Sequence, residues 1–122
     1  MANLGIIGYG IVGKSVDYGF RKDNENIVFY DKFKKEDNIE GIRRESLPLK
    51  DVIEQSEFIF VCLPTPFSQS CQSIDLTIMD EAIDEIARLV GDSDKIIIMK
   101  STVIPGTTRK YSEKYPNCKF CF

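Results

Sequence analysis

The chain has 122 residues, 43% of them hydrophobic, with 16 Lys and Arg against 19 Asp and Glu, no His and a net charge of -3. That length suits one domain, since a single core usually spans about 100–200 residues, and the apolar fraction with 29% charged residues excludes a disordered, fibrous or low-complexity chain. Without His, Ser-His-Asp, Cys-His and His-based zinc chemistry cannot be built from this chain; no apolar run approaches the ~20 residues of a membrane helix; and the cations, scattered as Arg21-Lys22, Lys34-Lys35 and Arg43-Arg44, form no coherent basic face for nucleic acid.

The N-terminus opens on an apolar strand pattern with no basic region ahead of it, which argues against a secretory leader and for a cytoplasmic setting. Of the four cysteines, Cys118 and Cys121 form one Cys-x-x-Cys. A structural zinc site wants two such pairs or accompanying His, and a thioredoxin-type pair opens a helix whereas this one lies in a strand pattern. Ordinary reduced thiols and no metal are expected.

Short β-rich runs alternate with helical periodicity, the pattern of a parallel sheet covered by helices. Asn3 to Ile7 reads as a strand buried on both faces. A helix from Ile11 to Lys22 follows, with Val12, Val16 and Phe20 at i, i+4 and i+8 turned to the sheet. The second strand, Asn26 to Tyr30, ends in Asp31, and Lys32 to Glu45 carries no strong period. A short helix from Leu49 to Gln55 leads to a third strand, Glu57 to Leu63, then a loop from Pro64 to Ile74. Thr77 to Val90 is an amphipathic helix with Met79, Ala82, Ile83, Ile86, Ala87 and Val90 on one face, stopping at Gly91. A fourth strand, Lys95 to Lys100, a turn, a helix from Thr107 to Tyr115 and a fifth strand from Cys118 complete the chain. The predicted fold is α/β, a doubly wound Rossmann-type parallel sheet of about five strands in the order 3-2-1-4-5, in three αβα layers. Its last strand has no closing helix, so the chain is expected to be part of a larger domain.

Gly8-Tyr9-Gly10-Ile11-Val12-Gly13 is a G-x-G-x-x-G that leaves a buried strand and opens a helix, with Asp31 ending the next strand 18 residues after Gly13. Gly8 permits the tight turn, Gly10 lets backbone approach a pyrophosphate, and Gly13 lets helix and strand pack closely. The helix N-terminus offers N–H groups and partial positive charge to the phosphates. Asp31 is placed to accept from the adenosine ribose hydroxyls and to repel a 2′-phosphate, so NAD is preferred over NADP. S-adenosylmethionine, which related sheets bind through a similar loop, and a purely structural turn stay open at this level.

Two further segments leave the carboxyl ends of strands, where such sheets bind ligands: Val61-Cys62-Leu63-Pro64-Thr65-Pro66, and Lys100-Ser101-Thr102-Val103-Ile104-Pro105-Gly106-Thr107. With the glycine loop and Asp75-Leu76-Thr77 they stand in the order seen in the UDP-glucose/GDP-mannose 6-dehydrogenase family, which this chain resembles at the family's NAD-binding domain. The resemblance implies oxidation of the C6 alcohol of a nucleotide sugar to a carboxylate in two NAD-dependent hydride transfers, through a thiohemiacetal and thioester on a cysteine. It places Gly8, Tyr9, Gly10, Ile11, Val12 and Gly13 around the pyrophosphate, Asp31 on the ribose, and Leu63, Pro64, Thr65, Ser101 and Thr102 along the cofactor. Thr102 would lie by the reacting centre, where the family's threonine helps position a water; a helix-capping hydroxyl is the other reading of it. Lys34 and Lys35 both follow the ribose acid without a clear register, and the resemblance implies Lys35 among the cofactor contacts.

Departures from the pattern matter. The family's catalytic Glu, Cys, Lys and Asn fall beyond Phe122, and none of the four cysteines here matches the nucleophile. The stretch after Asp31 lacks the family's helical insertion, leaving the adenosine side more open. Ile104 replaces a proline, and Ile11 stands where the family has Tyr. These 122 residues are therefore expected to form the NAD-binding portion, to bind NAD without turnover, and to lack the central and C-terminal domains; the full-length form would take a nucleotide sugar and pair as a homodimer. A free-standing NAD-binding or sensing module without catalysis, and a domain of a β-hydroxyacid or 6-phosphogluconate-type dehydrogenase, are the alternatives.

Overall fold

A computed structural model describes residues 3–20, 26–32, 35–39, 42–63, 67–68, 73–74, 77–100 and 106–121. In chain order these form β1 (Leu4–Ile7), α1 (Ile11–Phe20), β2 (Ile27–Tyr30), β3 (Glu36–Ile39), β4 (Ile42–Glu45), α2 (Leu49–Gln55), β5 (Phe58–Val61), β6 (Phe67–Ser68), β7 (Ser73–Ile74), α3 (Thr77–Val90), β8 (Ile96–Met99), α4 (Thr107–Lys114) and β9 (Lys119–Cys121). Among the described residues no helix is long and apolar enough to cross a membrane.

Five of the strands make one parallel sheet in the order β2-β1-β5-β8-β9. Side chains alternate across a strand, so each strand feeds two cores. Leu4, Ile6, Ile27, Phe29 and Phe60 point to the α1 side, where Tyr9 and Val16 cover them. Ile7, Ile59, Val61, Ile97 and Met99 point to the other side, under Val52 and Ile53 of α2, Met79, Ile83, Ile86 and Val90 of α3, and Tyr111 of α4. Burying each such side chain stabilises by about 1.5–3 kcal/mol, which makes the α2–α3–α4 layer the principal hold on the sheet. The result is the three-layer αβα Rossmann-type fold expected from the alternating pattern.

The strand order differs from the expected 3-2-1-4-5. Counted along the sheet it is 2-1-3-4-5, because Phe58–Val61 lies beside β1. The physical reason is burial: Ile59, Phe60 and Val61 are apolar and covered on both faces, which suits a central place rather than an edge. The outer edge of β2 is met instead by Ser46, in a single parallel bridge to Phe29 reinforced by Leu47 N–H to Phe29 O at 2.9 Å. That bridge stands where a full dinucleotide fold carries its third strand.

Three other expectations are corrected. α1 buries Gly13, Val16 and Asp17, while Val12 and Phe20 are 45% and 43% exposed. Gly13 must face the strand at the closest approach, and this turns Val12 outward, while Val16 stays buried and the partly exposed Phe20 ring still packs on Phe60 of β5 with centroids 5.6 Å apart. The patternless stretch after Asp31 holds an antiparallel hairpin, β3 paired to β4 from Glu36↔Glu45 to Ile39↔Ile42. Within the expected loop from Pro64 to Ile74, β6 pairs with β7.

Polar ties lock the helical layer. Lys95 Nζ donates to Ser56 O at 2.6 Å and Glu54 O at 3.3 Å, satisfying carbonyls at the end of α2. Tyr111 on α4 and Tyr115 at its C-cap donate to Asp80 Oδ1 at 2.5 Å and Asp84 Oδ1 at 2.9 Å on α3. Burial, then the Asp80 carboxylate, push the Tyr111 phenol well above its usual range, so it remains a donor at any physiological pH.

Gly5 is where α2 meets β1: an added Cβ would lie 2.2 Å from Ser56 Oγ and 3.0 Å from Val52 Cγ1. Ser56 is buried and its hydroxyl donates to Val52 O at 2.5 Å, so it has no room to turn away. Gly5→Ala is expected to cost about 1–3 kcal/mol, read as a lower urea midpoint with unchanged slope; a midpoint equal to wild type would contradict this packing.

Candidate functional site

Gly8 N–H donates to Tyr30 O at 2.9 Å, extending the β1–β2 ladder by one residue, and the chain then turns sharply at Gly8 with φ +93°. Only glycine adopts that conformation without strain. The turn lies directly on the end of β5, where a Cβ at Gly8 would come within 2.6 Å of Cys62 O. β1 and β5 flank the point where the winding of the sheet reverses, the crevice in which open α/β sheets receive ligands.

Each glycine of the loop has a separate task. A Cβ at Gly13 would sit 2.2 Å from Gly8 O and 3.2 Å from Ile6 Cγ2, so its absence is what lets α1 close onto β1. A Cβ at Gly10 would meet nothing within 4 Å. Gly10 O accepts from Lys14 N–H at 2.9 Å, the first bond of α1, so by helix geometry the amides of Ile11, Val12 and Gly13 have no intrahelical acceptor. Open space, free helical amides and the positive end of the helix dipole coincide there, which is the donor set a pyrophosphate requires. Ile11 is 87% exposed at this end.

Asp31 follows β2 directly and reaches back over the loop. Its Oδ2 accepts from Tyr9 N–H at 2.7 Å, and its own N–H donates to Ser46 Oγ at 3.0 Å. The carboxylate is thereby fixed beside the glycine turn, half-buried, with Ser46 supporting it from the edge bridge.

Tyr9 departs from its expected place. The N–H goes to Asp31, and the side chain turns inward, fully buried, stacked on Phe29 with ring centroids 4.0 Å apart at 19°. Its hydroxyl donates to Oδ2 of Asp17 on α1, itself fully buried. Sequence reasoning missed this pair; the available signal was a carboxylate four residues after Gly13, on the helix face that Gly13 turns to the sheet.

On the other side of the crevice, Leu63 is partly buried against the α2–α3 core. Lys35 is exposed at the foot of the β3–β4 hairpin, where its carbonyl accepts from Ser46 N–H at 2.7 Å. Pro64, Thr65, Ser101 and Thr102 lie outside the described residues. Cys62 is buried at the end of β5; burial pushes its thiol up to about 11, against a weaker opposing pull from the Lys100 cation. It is a thiol, and no nucleophile, at neutral pH. Among the described residues Cys118, half-buried just before β9, and Cys121, exposed within it, form no disulfide.

Residues 46–119 match the NAD binding domain of the UDP-glucose/GDP-mannose dehydrogenase family. Among solved structures, the GDP-mannose dehydrogenase of Pseudomonas aeruginosa superposes with a TM-score of 0.74 at 17% identity, over 97% of this chain and 35% of that one. Among curated proteins, a glyoxylate reductase of Pyrococcus horikoshii is 30% identical over 61 residues, 50% of this chain and 18% of that protein. An uncharacterized protein of Methanocaldococcus jannaschii is 28% identical over 136 residues, 91% of this chain and 15% of that one. The chain thus spans about a third of the solved structure and under a fifth of either curated relative.

Proposed function

Since the chain belongs to the UDP-glucose/GDP-mannose dehydrogenase family, as its NAD-binding domain, we propose that it holds NAD across the β1–β5 crevice for the oxidation of a nucleotide sugar at its C6 alcohol. The observation that carries the reading is the conjunction at the glycine loop: open space at Gly10, the amides of Ile11, Val12 and Gly13, and the Asp31 carboxylate fixed by Tyr9 N–H. Bound there, the dinucleotide supplies the hydride acceptor. The protein's own residues bind and orient it. The helix end meets the pyrophosphate, Asp31 accepts from the ribose hydroxyls, and the same charge disfavours a 2′-phosphate. On this reading Leu63, Pro64, Thr65, Ser101 and Thr102 line the nicotinamide side, Lys35 the adenosine side, and Thr102 positions a water at the reacting centre.

The whole enzyme would take a nucleotide sugar through two NAD-dependent steps, as a homodimer in the cytoplasm. The 122 residues alone are proposed to bind cofactor without turnover, because none of the four cysteines matches the family's nucleophile and Cys62, the one beside the glycine turn, is buried with its thiol held protonated.

Thermal unfolding tests the binding claim. At a hundred times its Kd, NAD is expected to stabilise the chain by about 2.7 kcal/mol, roughly 10 °C in Tm, and NADP at the same concentration by much less. Equal or reversed shifts would contradict the role given to Asp31.

A further inference from the structure

We propose that Tyr9 and Asp17 form a positioning pair that sets the spacing between the α1 N-terminus and the Asp31 carboxylate, and so determines cofactor affinity and the preference for NAD. The inference rests on the NAD reading and goes beyond it, because neither side chain touches the site. Tyr9 joins all three parts of the loop region at once. Its N–H holds Asp31 at 2.7 Å, its ring stacks on Phe29 of β2, and its hydroxyl holds Asp17 on α1.

α1 has a small buried face. It buries only Gly13, Val16 and Asp17, and leaves Ile11, Val12, Tyr18 and Phe20 exposed. Val16 and the Phe20 ring, which meets Phe60 of β5 with centroids 5.6 Å apart, supply apolar packing and Gly13 a close approach, but none of these is a directional bond from α1 to the loop that holds Asp31. A hydrogen bond from a buried phenol to a buried carboxylate is directional and charge-assisted. It ties the helix that would meet the pyrophosphate to the residue whose amide holds the ribose acid. Two ligand-binding groups on different elements are thereby kept in one register.

The glycine motif leaves the residue between Gly8 and Gly10 unspecified, so a tyrosine buried there with a carboxylate partner is a property of this chain. Tyr9→Phe keeps the ring stack and the N–H and removes the hydroxyl that donates to Asp17. Asp17→Asn keeps the volume and an acceptor but removes the charge.

The test is calorimetric titration of wild type, Tyr9→Phe and Asp17→Asn with NAD and with NADP, at a temperature where thermal melts show each variant fully folded. Tyr9→Phe is expected to weaken NAD about tenfold, the equivalent of one charge-assisted hydrogen bond, and to narrow the NAD-to-NADP preference; Asp17→Asn is expected to do the same in smaller measure. Hydrogen exchange of the residue-9 amide in the ligand-free chain gives a readout independent of binding, and is expected to quicken in both variants. Unchanged affinity, preference and residue-9 exchange, with only a lower Tm, would overturn the positioning role and leave a purely structural one. A wild-type chain that binds neither dinucleotide, with variant exchange still quickened, would overturn the cofactor reading and leave the strut without a binding role.

Discussion

Gly13→Ala is expected to abolish measurable NAD binding and to destabilise the chain by about 3 kcal/mol, the upper end of ordinary overpacking. The new methyl would lie 2.2 Å from Gly8 O, a backbone atom that no rotamer change can remove, and 3.2 Å from Ile6 Cγ2 in the core. Either α1 lifts from β1 or the Gly8 turn shifts off Cys62. Both moves separate the helix amides from Asp31. Gly10→Ala is the informative contrast, since its methyl would meet nothing within 4 Å. It should leave the ligand-free chain within about 0.5 kcal/mol of wild type while blocking the approach of a pyrophosphate. Urea unfolding and calorimetric titration of the two variants separate the tasks: one glycine serves the fold and through it the site, the other serves the ligand alone. Equal loss of stability in both, or normal NAD binding by Gly10→Ala, would contradict the assignment.

Asp31→Asn is expected to reverse the cofactor preference. The amide keeps the shape of the carboxylate and an oxygen for Tyr9 N–H, which the native side chain meets at 2.7 Å. The negative charge is lost. Hydrogen bonds to a charged group contribute about 1.5–3 kcal/mol against about 1 for neutral ones, so NAD should weaken roughly tenfold. NADP, no longer facing a like charge at its 2′-phosphate, should bind more tightly than it does to wild type. Dissociation constants for both dinucleotides against both proteins provide the check, and an unchanged ratio would remove Asp31 from the ribose site.

The parts of this arrangement that follow from local rules were legible in the sequence. The α2 and α3 boundaries, Leu49–Gln55 and Thr77–Val90, fall where periodicity and Gly91 put them, and Gly91 indeed takes a left-handed φ of +56°. The three loop glycines and Asp31 were readable because each answers a backbone or charge requirement. What escaped depends on tertiary choice. The β3–β4 hairpin is built from Glu-Asp-Asn-Ile and Ile-Arg-Arg-Glu, polar runs without the apolar alternation that betrays a strand. The place of β5 beside β1 turns on which edge of the first two strands it joins; its continuous apolar run suits a central strand, but the edge itself is a tertiary choice seen only in the parallel pairing with β1. The inward turn of Tyr9 and the burial of Asp17 were hidden for a related reason. A carboxylate on a short helix reads as surface until the rotation imposed by Gly13 is known.

The central claim is that NAD lies over the carboxyl ends of β2, β1 and β5, with its pyrophosphate against the α1 N-terminus. Amide chemical shifts of the isotopically labelled chain, followed through a titration with NAD, test it most directly. The account predicts that the largest changes fall on Gly8, Gly10, Ile11, Val12, Gly13 and Asp31, while Gly91, Asn117 and Cys118 at the opposite end of the sheet stay still. Saturable changes centred on that opposite end, with the glycine loop unmoved, would contradict it.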